Sequence, residues 1–196
     1  MRIGVIALQG NVEEHENAMK RALEQANLEA EILKIKRKGI VPTCDALILP
    51  GGESTTLGRL MEREGISSEI KEASVAGIPI MGTCAGLVLL AMYGDDQVAK
   101  TGQHLLGLMD MHVNRNAFGR QKDSFEAIVD FKGFGSPFRA VFIRAPCITE
   151  CGKNVDILST FNGRIVAARQ KNLLALAFHP ELTDDLRIHQ YFLEMI

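Results

Sequence analysis

The sequence carries almost no net charge: 22 lysines and arginines against 24 aspartates and glutamates leave −2 at pH 7. That balance gives no electrostatic footprint for nucleic acid or an anionic membrane surface. No apolar run approaches a membrane span, and there is no low-complexity tract, internal repeat or linker composition. The first residues enter a strand pattern without the blocks of a signal peptide, so a single domain over 1–196 in the cytoplasm is expected. Cysteine is scarce. Cys44, Cys84, Cys147 and Cys151 are scattered, which predicts reduced thiols rather than a disulfide framework. Cys147 and Cys151 form a C-x3-C pair, but no histidine or second cysteine pair lies near enough in sequence to complete a tetrahedral zinc site, so no metal is expected. Two nucleotide signatures are missing too. Gly51-Gly52 lacks the Gly-x4-Gly-Lys-Ser/Thr pattern, and Gly133-Phe134-Gly135 fails as a dinucleotide fingerprint because Phe138 holds the last glycine position.

What remains is an ordinary globular composition, 46% hydrophobic and 23% charged, arranged in a regular alternation. Arg2 to Leu8 is a β-branched apolar run suited to a strand buried on both faces. Val12, His15, Ala18, Met19, Ala22, Leu23 and Ala26 then recur at helical spacing, with Glu13, Glu14, Glu16, Lys20, Arg21 and Glu24 opposite. His15 falls on the apolar side, the position of a core-edge histidine rather than a catalytic one. Strands are expected at Glu29–Ile35, Asp45–Leu49 and Ile78–Met81, with helical stretches after Thr55 and over Ser67–Ala76. Such strand–helix units imply right-handed crossovers and a parallel sheet with helices on both faces. Tyr93–Gln103 reads as a loop. Short strands follow at Leu105–Val113, Ser124–Phe131, Phe138–Arg144, Val155–Phe161 and Arg164–Arg169, joined by turns that suggest antiparallel additions. A last strand, Leu173–Phe178, precedes a closing helix that starts at Thr183-Asp184-Asp185 and carries His189, for which a surface role is expected.

Three stretches carry chemistry. Gly82-Thr83-Cys84-Ala85-Gly86 joins an apolar strand to the helical run from Leu87, which makes it a nucleophile elbow with cysteine at its tip. The thiol sits at a helix N-terminus, where unpaired N–H groups favour thiolate. Its alternative is a buried structural cysteine in a glycine-rich turn. Pro50-Gly51-Gly52-Glu53-Ser54-Thr55 offers bare backbone N–H groups at the carboxyl edge of the sheet, suited to an oxyanion, or else is a plain tight turn. At the end of the last strand, Pro180 should keep His179 extended, so that period-2 geometry sets His179 and Glu181 side by side. A carboxylate there orients an imidazole base. Between them, Arg115 and Arg120 in the loop to Gln121 are candidates for a substrate carboxylate, or are simply solvated.

In this order, Pro50–Ser54, Gly82–Gly86 and His179–Glu181 resemble the class I, triad-type glutamine amidotransferases. Leu8-Gln9-Gly10, Gly51–Thr56, Arg115–Gln121 with Asp123–Glu126, and Phe142-Ile143-Arg144-Ala145-Pro146 resemble, within that family, the glutaminase subunit of pyridoxal 5'-phosphate synthase. The similarity runs end to end, and one departure is Cys147, where histidine is expected after Ala145-Pro146. It implies a flavodoxin-like three-layer α/β fold with a mostly parallel sheet and some antiparallel strands. It further implies a catalytic triad of Cys84, His179 and Glu181, an oxyanion hole from the N–H groups of Gly52 and Ala85, and a glutamine pocket lined by Gly52, Glu53, Ser54, Arg115, Ile143 and Arg144. No cofactor is implied. The implied partner is a barrel-shaped synthase subunit that receives ammonia. The rival readings are a glutaminase serving another acceptor, such as imidazole glycerol phosphate synthase, and a non-catalytic binding protein of the same fold.

Overall fold

In the computed structural model of the chain, described for residues 1–115, 117–118 and 124–196, the interior is built around four short strands. β1 (Arg2–Ile6), β3 (Ala46–Leu49), β4 (Ile80–Thr83) and β12 (Leu173–Leu176) are buried along almost their whole length. Continuous burial demands apolar side chains on both faces, which is why these segments read as unbroken hydrophobic runs. With β2 (Glu31–Ile35) they form a parallel array in the order β2-β1-β3-β4-β12. This is the doubly wound order in which ligands collect beyond the carboxyl ends of the strands.

The crossovers are α1 (Val12–Ala26), and α2 (Ser54–Arg63) followed by α3 (Ile66–Val75). α1 buries Ala18, Met19, Ala22 and Leu23, the apolar stripe of its sequence. Its left-handed C-cap is Asn27, at φ 52°, a conformation asparagine tolerates better than most residues. α2 is capped by Glu53, whose carboxylate accepts from the N–H groups of Thr55 and Thr56.

Beyond β12 the sheet turns antiparallel through β11 (Arg164–Gln170) and β9 (Cys147–Cys151) to β6 (Met109–Asn114), with β10 (Asp156–Phe161) also paired to β11. β7 (Phe125–Val129) and β8 (Phe138–Phe142) make a separate antiparallel ribbon. Phe125, Phe142 and Phe161 stack closely between the two, at centroid separations of 4.9 Å and 5.7 Å about Phe142.

Four local expectations are corrected. The helix after the elbow, α4 (Ala85–Leu90), is only six residues long, and the chain continues at once into an edge strand, β5 (Ala91–Gly94). Their shared apolar run hides the switch of period. Tyr93–Gln103 is no loop, because it contains α5 (Asp96–Thr101), nucleated by Asp95 accepting from Gln97 and Val98 N–H. β9 occupies a stretch that showed no strand pattern. The closing helix, α6 (Arg187–Leu193), starts after the acidic pair, and its His189 is fully buried instead of lying at the surface.

Candidate active site

Cys84 terminates β4 with φ 49° and ψ −101°, a conformation that L side chains adopt rarely and at a cost of about 1–3 kcal/mol. The strain is held from both sides. Its N–H donates to the Leu176 carbonyl of β12 at 2.8 Å, and its own carbonyl accepts from Val88 N–H at 3.2 Å. The flanking glycines are required by contact. A Cβ on Gly86 would stand 2.2 Å from the Leu49 carbonyl oxygen, and one on Gly82 would stand 2.6 Å from the Gly86 carbonyl carbon. Cys84 is 8% exposed, and its sulfur lies 3.9 Å from the Ile143 carbonyl oxygen.

His179 leaves the end of the neighbouring strand. Its backbone N–H donates to the Val141 carbonyl at 2.8 Å, so the β8 ribbon pins it laterally. Residues Pro180–Leu182 form a single 3₁₀ turn. The pairing of His179 with Glu181 therefore comes from that turn, and not from the extended period-2 geometry expected of His179-Pro180-Glu181. Nδ1 lies 2.7 Å from Glu181 Oε1, with both side chains almost wholly buried. Burial pulls the imidazole pKa down, but the Cys84 side chain and the Glu181 carboxylate beside it reverse this and raise it to about 10. Nε2, buried and without a hydrogen-bond partner among the described residues, is the ring nitrogen left for a reacting group.

Glu181 is likewise held down despite burial, by His15 and His179, and remains a carboxylate. Oε1 also accepts from Asn11 Nδ2 at 3.3 Å. Asn11 was missed in the sequence. Its only signal was its place in the turn that ends β1.

A cleft of about 220 Å³ opens above these groups, smaller than the roughly 300 Å³ at which drug-sized sites begin. Gly52, Glu53, Ser54, Cys84, Ala85, Arg115, Ile143, Arg144 and His179 all line it, whereas Glu181 lies behind His179. In the lining of the cleft, Arg115 Nη2 meets Glu53 Oε1 at 3.3 Å, and Arg115 Nη1 is buried with no partner among the described residues. Burial alone would raise the Glu53 pKa. Hydrogen bonds from Thr56 and Thr55 instead lower it to about 2, so the carboxylate is charged at neutral pH. Gln9 Oε1 accepts from the Glu53 N–H at 3.1 Å and thereby ties the first loop to the third. Arg120, the second candidate for a substrate carboxylate, lies outside the described residues, as do Asn116, Gly119, Gln121 and Asp123 of the same motif.

All four cysteines are free thiols. Among the described residues there is no His, Cys, Asp and Glu cluster able to hold a metal ion, and no helix long and apolar enough to cross a membrane.

The doubly wound architecture that carries these groups is shared with solved proteins. One described as a crystal structure of glutamine amidotransferase superposes with TM-score 0.86 at 42% identity, covering 98% of this chain and 97% of that one. The Thermotoga maritima PurLQS structure shares the fold, with TM-score 0.69 at 16% identity over 98% of this chain and 97% of that one. The architecture is thus that of the glutamine amidotransferases. Residues 5–196 match the SNO glutamine amidotransferase family, and the chain belongs to it. Its relatives include the pyridoxal 5'-phosphate synthase subunit PdxT of Methanococcoides burtonii, 64% identical over 196 residues, with 100% of this chain and 99% of that protein covered. The protein of the same name in Archaeoglobus fulgidus is 56% identical over 195 residues, covering 100% and 98%.

Proposed function

We propose that the chain, acting as a single domain over 1–196, hydrolyses L-glutamine to glutamate and ammonia as the glutaminase subunit of a cytoplasmic pyridoxal 5'-phosphate synthase. The full-length identity to proteins of that name supports the choice of acceptor pathway. The chemistry rests on one observation: Cys84 in its strained turn and His179, backed by Glu181 at 2.7 Å, line the same cleft.

Cys84, as the thiolate paired with the His179 imidazolium, attacks the side-chain carboxamide carbon, and the oxyanion is received by the backbone N–H groups of Gly52 and Ala85. His179 is imidazolium at neutral pH and already carries the proton that the departing ammonia needs. Collapse of the tetrahedral adduct breaks the C–N bond and leaves a Cys84 thioester. The now neutral Nε2 takes a proton from water, which attacks the thioester, and glutamate leaves as the Cys84 thiolate and the His179 imidazolium are restored. Glu181 holds Nδ1–H and so keeps Nε2 as the working nitrogen. Arg115 Nη1, without a partner among the described residues, suits the α-carboxylate and the charged Glu53 suits the α-ammonium. Ser54, Ile143 and Arg144 complete the walls.

Ammonia is passed to a separate synthase subunit. Free turnover wastes glutamine, so the isolated chain is weakly active and docking organises the oxyanion side through the Gly51-Gly52 peptide. Glutamate release is measured with and without the synthase. A marked rise on adding it, abolished in Cys84→Ala, is expected. Equal rates overturn the docking step, and activity in Cys84→Ala overturns the mechanism. An electrophilic glutamine analogue should add covalently to the parent and not to Cys84→Ala.

A further inference from the structure

Behind the proposed triad lies a second layer of buried polar groups to which the mechanism above gives no role. His15, on the inner face of α1, is completely buried. Its Nε2 lies 3.0 Å from Thr83 Oγ1, the residue before the nucleophile, and 3.5 Å from Glu181 Oε2, the carboxylate oxygen that His179 does not use. One imidazole nitrogen thus touches both halves of the site. Beyond it, the His189 ring stands 6.4 Å away between centroids, fully buried, with neither nitrogen hydrogen-bonded among the described residues.

The tautomer follows from these contacts. A lone pair on Nε2 would face a buried carboxylate oxygen, whereas Nε2–H donates to Thr83 Oγ1 at 3.0 Å and turns its positive edge toward Glu181 Oε2 at 3.5 Å, an oxygen with no hydrogen-bond partner among the described residues. A second constraint concerns charge. Burial lowers the His15 pKa, which keeps the ring neutral. A charged His15 would compete with His179 for the Glu181 charge. A neutral donor fixes the carboxylate and leaves its charge to the catalytic imidazole.

We infer that His15 is a positioning residue for the Cys84–His179–Glu181 site, using Nε2–H to clamp the rear oxygen of Glu181 while anchored against Thr83. The inference rests on the glutaminase reading and adds a residue that touches no reacting atom. Its function is rotational. A carboxylate held only through Oε1, by His179 and the 3.3 Å Asn11 contact, can swing about its own axis. Held at Oε2 as well, it keeps the His179 ring plane aimed at the sulfur.

The test compares parent, His15→Leu and His15→Gln, each assembled with the synthase, by steady-state glutamine hydrolysis and thermal unfolding. Leucine removes the donor, and glutamine carries an amide N–H out to the depth of Nε2. His15→Leu should lower kcat by roughly 10- to 100-fold, the effect of leaving a buried carboxylate oxygen with no donor facing it, with KM for glutamine within about twofold of the parent. His15→Gln should recover most of that loss. If His15→Leu shows no cooperative unfolding transition, His15→Asn replaces it, since its amide ends at the depth of Nδ1 and cannot reach Glu181. Parent-like kcat in a folded donor-less variant overturns the proposal and leaves the glutaminase reading intact, as does a loss that His15→Gln fails to recover. No glutamate from the parent with synthase present overturns both.

Discussion

At the scale of single residues, the site is a set of compensated penalties. A carboxylate and two imidazoles are buried within one contact of each other, and each is tolerable only because of the next. Replacing Glu181 by Gln removes the anion that helps hold His179 above its ordinary range. The imidazolium should then give up its proton at a lower pH than in the parent, read by NMR titration of the ring, and turnover should fall by at least about a hundredfold. His189 shows the opposite bias. Burial lowers its pKa to about 3, helped by the His15 ring. The unfolded chain therefore takes up a proton below about pH 6.5 that the native chain refuses, and stability is lost as pH falls through that window. His189→Leu should abolish this loss. The unfolding free energy of the variant should gain about 2 kcal/mol on the parent between pH 7 and pH 5, measured by urea denaturation.

At the scale of elements, the elbow depends on how closely α4 lies over β3 and β4. Gly86→Ala would drive a methyl group into the Leu49 carbonyl. It should cost at least about 1–3 kcal/mol in denaturant unfolding and slow alkylation of Cys84 as the turn relaxes. The elements that position the site were legible in the sequence because each is a short apolar run closed by a turn with its own chemistry: Leu47-Ile48-Leu49 before Pro50-Gly51, Ile80-Met81 before Gly82, Leu174 to Phe178 before Pro180. What escaped lacked such punctuation. Ala91 carries the apolar run of α4 into β5 without a break, and α5 has one buried residue, Val98, so no periodicity marks it. Pro180 was read as enforcing extension, yet a proline also suits the first position of a 3₁₀ turn, and the turn prevailed. His15 and His189 are polar residues inside apolar stripes. His15 lies 68, 166 and 174 residues from Thr83, Glu181 and His189, a proximity no local pattern reveals.

At the scale of the molecule, the cleft collects its parts from six segments of the chain, and the loop after β1 is joined to two of the others by side chains: Gln9 to the Glu53 N–H, Asn11 to Glu181. Gln9→Ala should therefore leave the fold within about 0.5–1.5 kcal/mol of the parent and lower glutaminase activity by altering the loop that carries Gly52. Paired unfolding and kinetic measurements check this. The two central parts are fixed differently. β4 and β12 are adjacent parallel strands, registered Thr83 against Leu176, with the Cys84 amide bonded to that same Leu176. The spacing between sulfur and imidazole is consequently set by a ladder of main-chain bonds in the middle of the sheet, with no joint across which it could open. The docking step proposed above has no leverage there. It is left to act on the opposite lip of the cleft, in the glycine turn after β3, where backbone can swing without unzipping the core.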